Sequence, residues 1–211
     1  LNFKLLVRAV KLAKRYSVPS LFVETNCFWC ISNEVVRDRL TELKESGLDG
    51  ILISANPFLL ECVPFSKTRR CVKLSKVIFG ENNVMIYHPI FYDQFTKLRI
   101  EGVLKFEEYI SMILNLDSRL LTFALSPTVV LPMGRAVYRL SNIYRKFPAK
   151  YFFRETCIRD LTRPWHIHID CYNNYIPGYC AGLSLGDARR LDDIVQGLSL
   201  IHISEPTRPR L

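Results

Sequence analysis

No apolar run in this chain reaches the roughly 18 residues that a membrane-crossing helix needs. Nor does the sequence open with the basic head, apolar stretch and small-residue cleavage site of a secretion signal. Internal repeats and low-complexity stretches are missing, which excludes a collagen-like or repeat array as the main description. Four signatures of common chemistry are missing as well. There is no G-x-S-x-G elbow, no G-x-x-x-x-G-K-[ST], no H-E-x-x-H, and no G-x-G-x-x-G after a strand. These absences set aside nucleophile-elbow hydrolases, P-loop nucleotide hydrolases, helix-borne zinc proteases and dinucleotide-binding sheets.

What is present suits a globular domain. The 211 residues are 49% hydrophobic and 23% charged, enough to bury a core without cross-links. One domain with at most a short appendage is expected at this length. Lys and Arg total 29 against 20 Asp and Glu, a formal charge of +9. The basic residues are scattered, with short clusters at Lys67, Arg69, Arg70 and Lys73 and at Arg135, Arg139, Arg145 and Lys146. They form no long stripe with interleaved aromatics, so solvated helix faces are favoured over nucleic-acid binding. Seven cysteines, an odd number, fit a reducing cytoplasm with thiols free for metal or redox work better than a disulfide scaffold.

The two ends read unusually. Phe3, Leu6, Val10 and Ala13 share one face of an opening helix, and no N-cap is read before Phe3. The expectation is a piece of a longer protein. At the other end, LSLIHISEPTR (residues 198–208) resembles a translated sequencing adapter. Native sequence is therefore expected to end near Gly197, with His202 and Glu205 carrying no function. Three segments follow: a core over 1–150, an extension over 151–197 and an adapter-derived tail over 198–211.

Between the ends, strand and helix signals alternate. Ser20–Glu24 is a short apolar run; Val35, Val36, Leu40 and Leu43 then recur at helical spacing, with Ser32 or Asn33 as cap and Gly47 as stop. Gly50–Ser54 reads as a buried strand broken by Asn56-Pro57. A helix is expected within Lys67–Phe79, a strand at Val84–Tyr87, a helix at Phe106–Asn115 and a strand at Thr128–Leu131. Apolar strands about 30 residues apart imply βαβ units and a parallel sheet. Ligands of such sheets lie at the carboxyl ends of the strands, which singles out Glu24, Thr25, Asn26, Ser54, Asn56 and His88.

ETNCFWC, Glu24 to Cys30, sets a C-x-x-C between a strand and a helix. That arrangement suits a thioredoxin-like dithiol pair, in which a helix N-terminus lowers a thiol pKa. It also suits half of a zinc site, although no second pair at matching spacing exists. Two cysteines filling a turn is the structural alternative. Farther on, His166-Ile167-His168-Ile169-Asp170 alternates polar and apolar residues, so on a strand His166, His168 and Asp170 face one way. With Cys157, Cys171 and Cys180 nearby in sequence, this face suits a metal, a polar substrate or a structural role.

Taken in order, the basic helix ending in YSVPS (16–20), FVETN (22–26), GLDGILISANPF (47–58) and the G-x-N-x-V stretch at Gly80 resemble the middle of a radical S-adenosylmethionine enzyme. The stretch RPWHIHIDCYNNYIPGYCAGLSLGD, Arg163 to Asp187, resembles the segment beyond the core in several subfamilies. The resemblance covers roughly 1–100 and 155–190. It implies an α/β chain forming an incomplete (βα)6 TIM-like barrel with parallel strands, plus a short cysteine-containing C-terminal extension. It also implies a [4Fe–4S] cluster whose open iron binds S-adenosylmethionine, giving a 5′-deoxyadenosyl radical that takes hydrogen from a substrate. Thr25, Asn26, Ser54 and Asn56 would position the cofactor. Cys157, Cys171 and Cys180 would hold an auxiliary iron–sulfur cluster, and His166, His168 and Asp170 would face substrate.

The family's C-x-x-x-C-x-x-C is absent, since Val23 stands where the first cysteine before Cys27 and Cys30 would be. The primary cluster ligands are thus expected upstream of Leu1, and the chain alone is expected to be inactive and to expose a sheet edge. Implied partners are a small-molecule or peptide substrate and an electron donor, without membrane or nucleic acid. The other readings are a cytoplasmic dithiol oxidoreductase using Cys27 and Cys30, and a basic binding module.

Overall fold

The structure, a computed structural model, describes residues 2–116, 118–126, 129–130, 135–142, 144–154, 166–177 and 184–197. The chain divides into two compact units, Leu1–Leu131 and Pro132–Leu211. No described helix is long and apolar enough to cross a membrane.

The first unit is a mixed α/β unit built on three strands, β1 (Phe22–Thr25), β2 (Gly50–Ser54) and β3 (Val84–Tyr87). All pair in parallel and their spatial order follows chain order, with Val23 opposite Ile51 and Ile51 opposite Val84. Parallel neighbours require a crossover. The helices α2 (Asn33–Glu45) and α4 (Phe65–Phe79) provide these crossovers. Helix α1 (Phe3–Arg15) precedes the sheet, and a single turn, α3 (Pro57–Leu60), follows β2. Beyond β3 come α5 (Pro89–Lys97), α6 (Phe106–Leu116) and α7 (Ser118–Ala124). No closed barrel is formed by the described strands.

Register gives the sheet two unlike faces, because side chains alternate along a strand. Val23, Ile51, Ile53, Val84 and Ile86 join the core with Val36 and Leu40 of α2 and Val72 and Leu74 of α4. The opposite face carries Phe22, Glu24, Leu52, Met85 and Tyr87. There Phe22, Met85 and Tyr87 remain 40–46% exposed, and among the described residues no helix packs over these three side chains.

Local chemistry sets the element ends. Ser32 Oγ accepts from the Val35 N–H at the start of α2, and Asn56 Oδ1 accepts from Leu59 N–H ahead of Pro57 at the first position of α3. Gly47, at φ +103°, ends α2 in the left-handed region that favours glycine. Asp49 then joins two segments: its carboxylate accepts from the Leu21 N–H at 2.8 Å and from Lys14 Nζ at 3.3 Å. The Leu21 N–H, followed by Lys14, holds its pKa below the usual carboxylate value.

A second apolar group, rich in rings, lies under α5 and α6. Phe65, Phe91, Phe95 and Tyr109 are buried and meet mostly edge to face, at centroid distances of 5.4–6.3 Å. The Tyr109 hydroxyl donates to Gln94 Oε1, and burial raises its pKa above the ordinary phenol value.

The second unit contains α8 (Arg135–Arg139), an antiparallel sheet of β4 (Ile167–Ile169), β5 (Asn174–Pro177) and β6 (Gly186–Asp187), and α9 (Leu191–Gly197). Two expectations fail. The opening helix does have a cap, because Asn2 Oδ1 accepts from the Leu5 N–H at 3.2 Å. The strand expected over 128–131 is not one in its described part. There Val129 and Val130 turn back so that both amides reach the Ser126 carbonyl, which satisfies them locally without a neighbouring strand. Residues 198–211 and the rest of that segment lie outside the described residues.

The close approach at the start of β2 is testable. A Cβ on Gly50 would stand 2.3 Å from the Asn83 carbonyl oxygen and from the Phe22 ring. Gly50→Ala should therefore cost about 1–3 kcal/mol through overpacking. Gly102→Ala, where a Cβ would meet nothing within 4 Å, should stay within about 0.5 kcal/mol. Urea denaturation of both variants checks the contrast; equal midpoints would refute the packing assigned to Gly50.

Candidate functional site

Two groups of polar side chains lie around the carboxyl ends of the parallel strands, one on each face. On the bare face, Ser54 Oγ donates to Glu24 Oε1 at 2.7 Å, linking the last turns of β2 and β1. Ser54 and Asn56 also line a small recess with Leu59, Phe65, Thr68 and Phe95. The four residues read as cofactor-positioning all lie at the carboxyl ends of the strands, and each makes a hydrogen bond. Thr25 Oγ1 accepts from the Cys27 N–H at 3.1 Å and Trp29 Nε1 at 2.9 Å. Asn26 Oδ1 accepts from the Phe28 N–H, and Asn56 caps α3. Ser54 is paired with Glu24, whose side of the rim is exposed.

His88 follows β3 at the same end, at φ +67°. A left-handed conformation costs an ordinary residue roughly 1–2 kcal/mol. Its ring packs against Tyr87 at 4.1 Å and meets Phe91 edge-on at 5.8 Å. Nδ1 is buried without a hydrogen-bond partner among the described residues. Burial lowers its pKa, an effect partly offset by a backbone hydrogen bond with Val129.

On the helix-covered face, the sequence ETNCFWC forms a tight loop. Cys27 takes φ +63°, the Cys30 N–H returns to the Cys27 carbonyl at 3.0 Å, and both thiols point into the core. Helix α4 clamps the loop from the side. Lys67 Nζ donates to the Phe28 carbonyl at 2.8 Å and Arg70 Nη1 to the Cys30 carbonyl at 2.6 Å. The next residue of α4, Cys71, completes a group in which the Sγ atoms of Cys27, Cys30 and Cys71 all lie within 4.8 Å of one another. All three residues are 0% exposed.

The three thiols titrate as a set. Hydrogen bonds from Cys27 and then Cys30, with Ser75 adding a smaller one, outweigh burial and push the Cys71 thiol down to about 4. Cys27 is pushed far up by its hydrogen bonds to Cys30 and Cys71 and by burial. For Cys30, the hydrogen bond with Cys27 lowers the pKa, but Cys71 and burial outweigh it and the net shift is upward. Burial thus resists charge on all three thiols, and on Cys27 and Cys30 the resistance prevails.

Sequence reasoning found two of these thiols as a C-x-x-C pair and missed the third. A dithiol exchanger needs an accessible thiolate, commonly at a helix N-terminus. Here α2 begins only at Asn33, three residues past Cys30. The other expected metal group gives less. Cys157 and Cys180 lie outside the described residues, and Cys171 is exposed. The His166 and His168 rings lie 4.7 Å apart, tilted by 39°, beside and on β4. Asp170 closes the β4–β5 turn by accepting from the Tyr172 N–H, the Asn174 N–H and Asn174 Nδ2. Its pKa is lowered, first by Asn174.

Two outcomes follow. Thr25→Val leaves the Cys27 N–H and Trp29 Nε1 without their acceptor, so it should destabilise by about 1–3 kcal/mol per orphaned donor, whereas Thr25→Ser keeps the hydroxyl and most of the stability. Urea denaturation of the two variants separates these. For His88 the folded pKa lies below its ordinary value of 6.5, so the unfolded chain binds the proton first. Its contribution is present above about pH 6.5 and is lost as pH falls through the window below it. His88→Asn, which also tolerates the left-handed backbone, should flatten the fall in stability as pH drops below about 6.5. An unchanged slope would sink the assignment.

Compared with protein-family models, curated proteins and solved structures, the chain gives no match in any of the three.

Proposed function

We propose that the first unit is the central part of a radical S-adenosylmethionine enzyme's barrel, with the bare face of β1–β3 turned toward the cofactor and substrate. What supports this reading is the singly wound sheet: strands in chain order, helices packed on one face, and Phe22, Met85 and Tyr87 partly exposed on the other. A doubly wound sheet reverses its strand order and places helices on both sides. A barrel wall covers only its outer side with helices and turns the other inward. Phe22, Leu52, Met85 and Tyr87 are then lumen residues, and the exposure of Phe22, Met85 and Tyr87 has a physical reason.

The residues present fit part of what such an enzyme requires. Glu24 offers a carboxylate and Ser54 a hydroxyl at the carboxyl rim of that inner face, suited to the ammonium or ribose hydroxyls of S-adenosylmethionine. Ser54 holds Glu24 in one orientation, so the carboxylate meets a ligand with less ordering to do. Thr25 and Asn56 act from behind, fixing the loop after β1 and the turn after β2. In such enzymes a bound [4Fe–4S] cluster delivers the electron that cleaves the sulfonium. Its usual C-x-x-x-C-x-x-C is not in this chain, and the three core thiols are on the other side of the sheet. They do not fit that cluster, and the reading requires its ligands in the parent reading frame.

The test is the product of the complete reading frame, reconstituted anaerobically with iron and sulfide. It should release 5′-deoxyadenosine from S-adenosylmethionine under a low-potential reductant. Glu24→Gln and Ser54→Ala should each lower cofactor affinity about tenfold or more, the loss of one hydrogen bond to a charged group. A complete frame without C-x-x-x-C-x-x-C, or unaltered affinity in both variants, overturns the reading.

A further inference from the structure

The geometry points to a three-thiolate site for one zinc ion, formed by Cys27, Cys30 and Cys71 on the helix-covered side of the sheet. This inference stands apart from the barrel reading and needs only the loop after β1 and helix α4.

Distance is the first argument. Sulfurs bound tetrahedrally to zinc at about 2.3 Å stand about 3.8 Å apart. The three Sγ atoms here lie within 4.8 Å of one another, so small side-chain rotations close them onto one ion. A disulfide needs two sulfurs to meet at about 2.05 Å with a set dihedral. It would also leave the third thiol with no function in the group. An iron–sulfur cluster interposes its own irons and sulfides between the cysteines and holds them farther apart than one ion does.

Backbone conformation is the second. Glycine is the ordinary residue at φ +63°, yet position 27 holds a cysteine whose side chain is fully buried. The Thr25 hydroxyl, Lys67 and Arg70 together hold the loop in that shape. Strained residues persist where the surroundings over-determine them, and they gather at ligand sites. The loop and helix α4 are 41 residues apart in sequence at Cys30 and Cys71, so the meeting of three thiols is a product of the fold.

Charge is the third. Three thiolates and Zn²⁺ carry a net −1. Arg70, bonded to the Cys30 carbonyl and favouring the Cys30 thiolate electrostatically, supplies a compensating +1 at the edge of the site. Ser75 Oγ lies 3.9 Å from Cys71 Sγ and supplies an outer hydrogen bond to the sulfur. Among the described residues no histidine or carboxylate joins the group, so these residues supply three of the four positions of a tetrahedral ion. Uptake is balanced: each thiol gives its sulfur lone pair to zinc, and the protons it still carries pass to solvent.

The whole chain, purified without chelator, should contain one zinc per chain by elemental mass spectrometry. Cobalt(II) exchanged into it should show intense thiolate charge-transfer bands and the ligand-field bands of a tetrahedral ion. Cys71→Ala should abolish both, while Cys62→Ser, at an exposed thiol, should keep them. Should Cys71→Ala not fold, the unmutated chain decides. Alkylation mapped by peptide mass should spare Cys27, Cys30 and Cys71 until zinc is chelated, whereas Cys62 reacts throughout. A metal-free chain that takes no zinc on titration, a Cys27–Cys30 disulfide, or iron with matching sulfide in several equivalents each overturns the inference.

Discussion

The hydroxyl of Thr25 is the constraint on which the carboxyl end of β1 depends. It accepts the Cys27 amide and the Trp29 indole at once, which turns the chain sharply as it leaves the sheet. A chain continuing in extended form would carry residue 27 away from the core. The sharp turn instead drives Cys27 inward, and the Cys30 amide bond to the Cys27 carbonyl repeats the reversal. Trp29 is then fixed on the outside of the loop, where Arg39 of α2 stacks over it and over Phe3 of α1, at 5.5 and 5.1 Å. One buried oxygen thus links strand end, thiol orientation and the packing of two helices.

Much of this was legible in the sequence, for local reasons. Ser32, Gly47 and Asn56-Pro57 mark element ends by hydrogen bonding and backbone freedom that act within four residues, and the helices and strands they bound lie close to where the pattern puts them. The run Gly50–Ser54 reads as a fully buried strand and is one, apart from the half-buried Leu52. Helix α5 was not legible. Its first residue is Pro89, and the residue before a proline leans toward extended backbone; His88 instead adopts a left-handed conformation and starts a helix. The valines at 129 and 130 mislead in the opposite sense, because β-branched residues favour strands while Ser126 supplies a local partner for both amides.

The same division governs the site. Thr25, Asn26, Ser54 and Asn56 could be named because strand ends follow from pattern. Their partners could not, since Ser54 meets Glu24 across the gap between neighbouring strands. Cys71 carried no spacing signal: a search for a second C-x-x-C finds none, and what brings a lone cysteine to the pair is the crossover that lays α4 beside the loop after β1. A usable signal did exist in Lys67, Arg70 and Cys71. They share one side of a helix whose other neighbours, Val72 and Leu74, are buried, so their clustering near the first βα loop follows once the parallel order β1–β2 is assumed.

Seen from the sheet, the two faces divide the chemistry by solvent. On the open side the carboxylate of Glu24 keeps its contact with water and with whatever approaches the rim. On the covered side three thiols share an apolar enclosure with Val36, Leu40 and Ile53. Ordinary apolar packing would be satisfied by valine or alanine there, since cysteine fills such space as a small hydrophobe. What apolar packing does not call for is a left-handed cysteine, an arginine bonded to the loop carbonyl beside the sulfurs, and a serine turned toward one of them. Burial makes a lone negative charge costly and a second one beside it costlier. In that enclosure a divalent cation is the partner that relieves both, and it converts mutually repelling thiolates into ligands of a single centre.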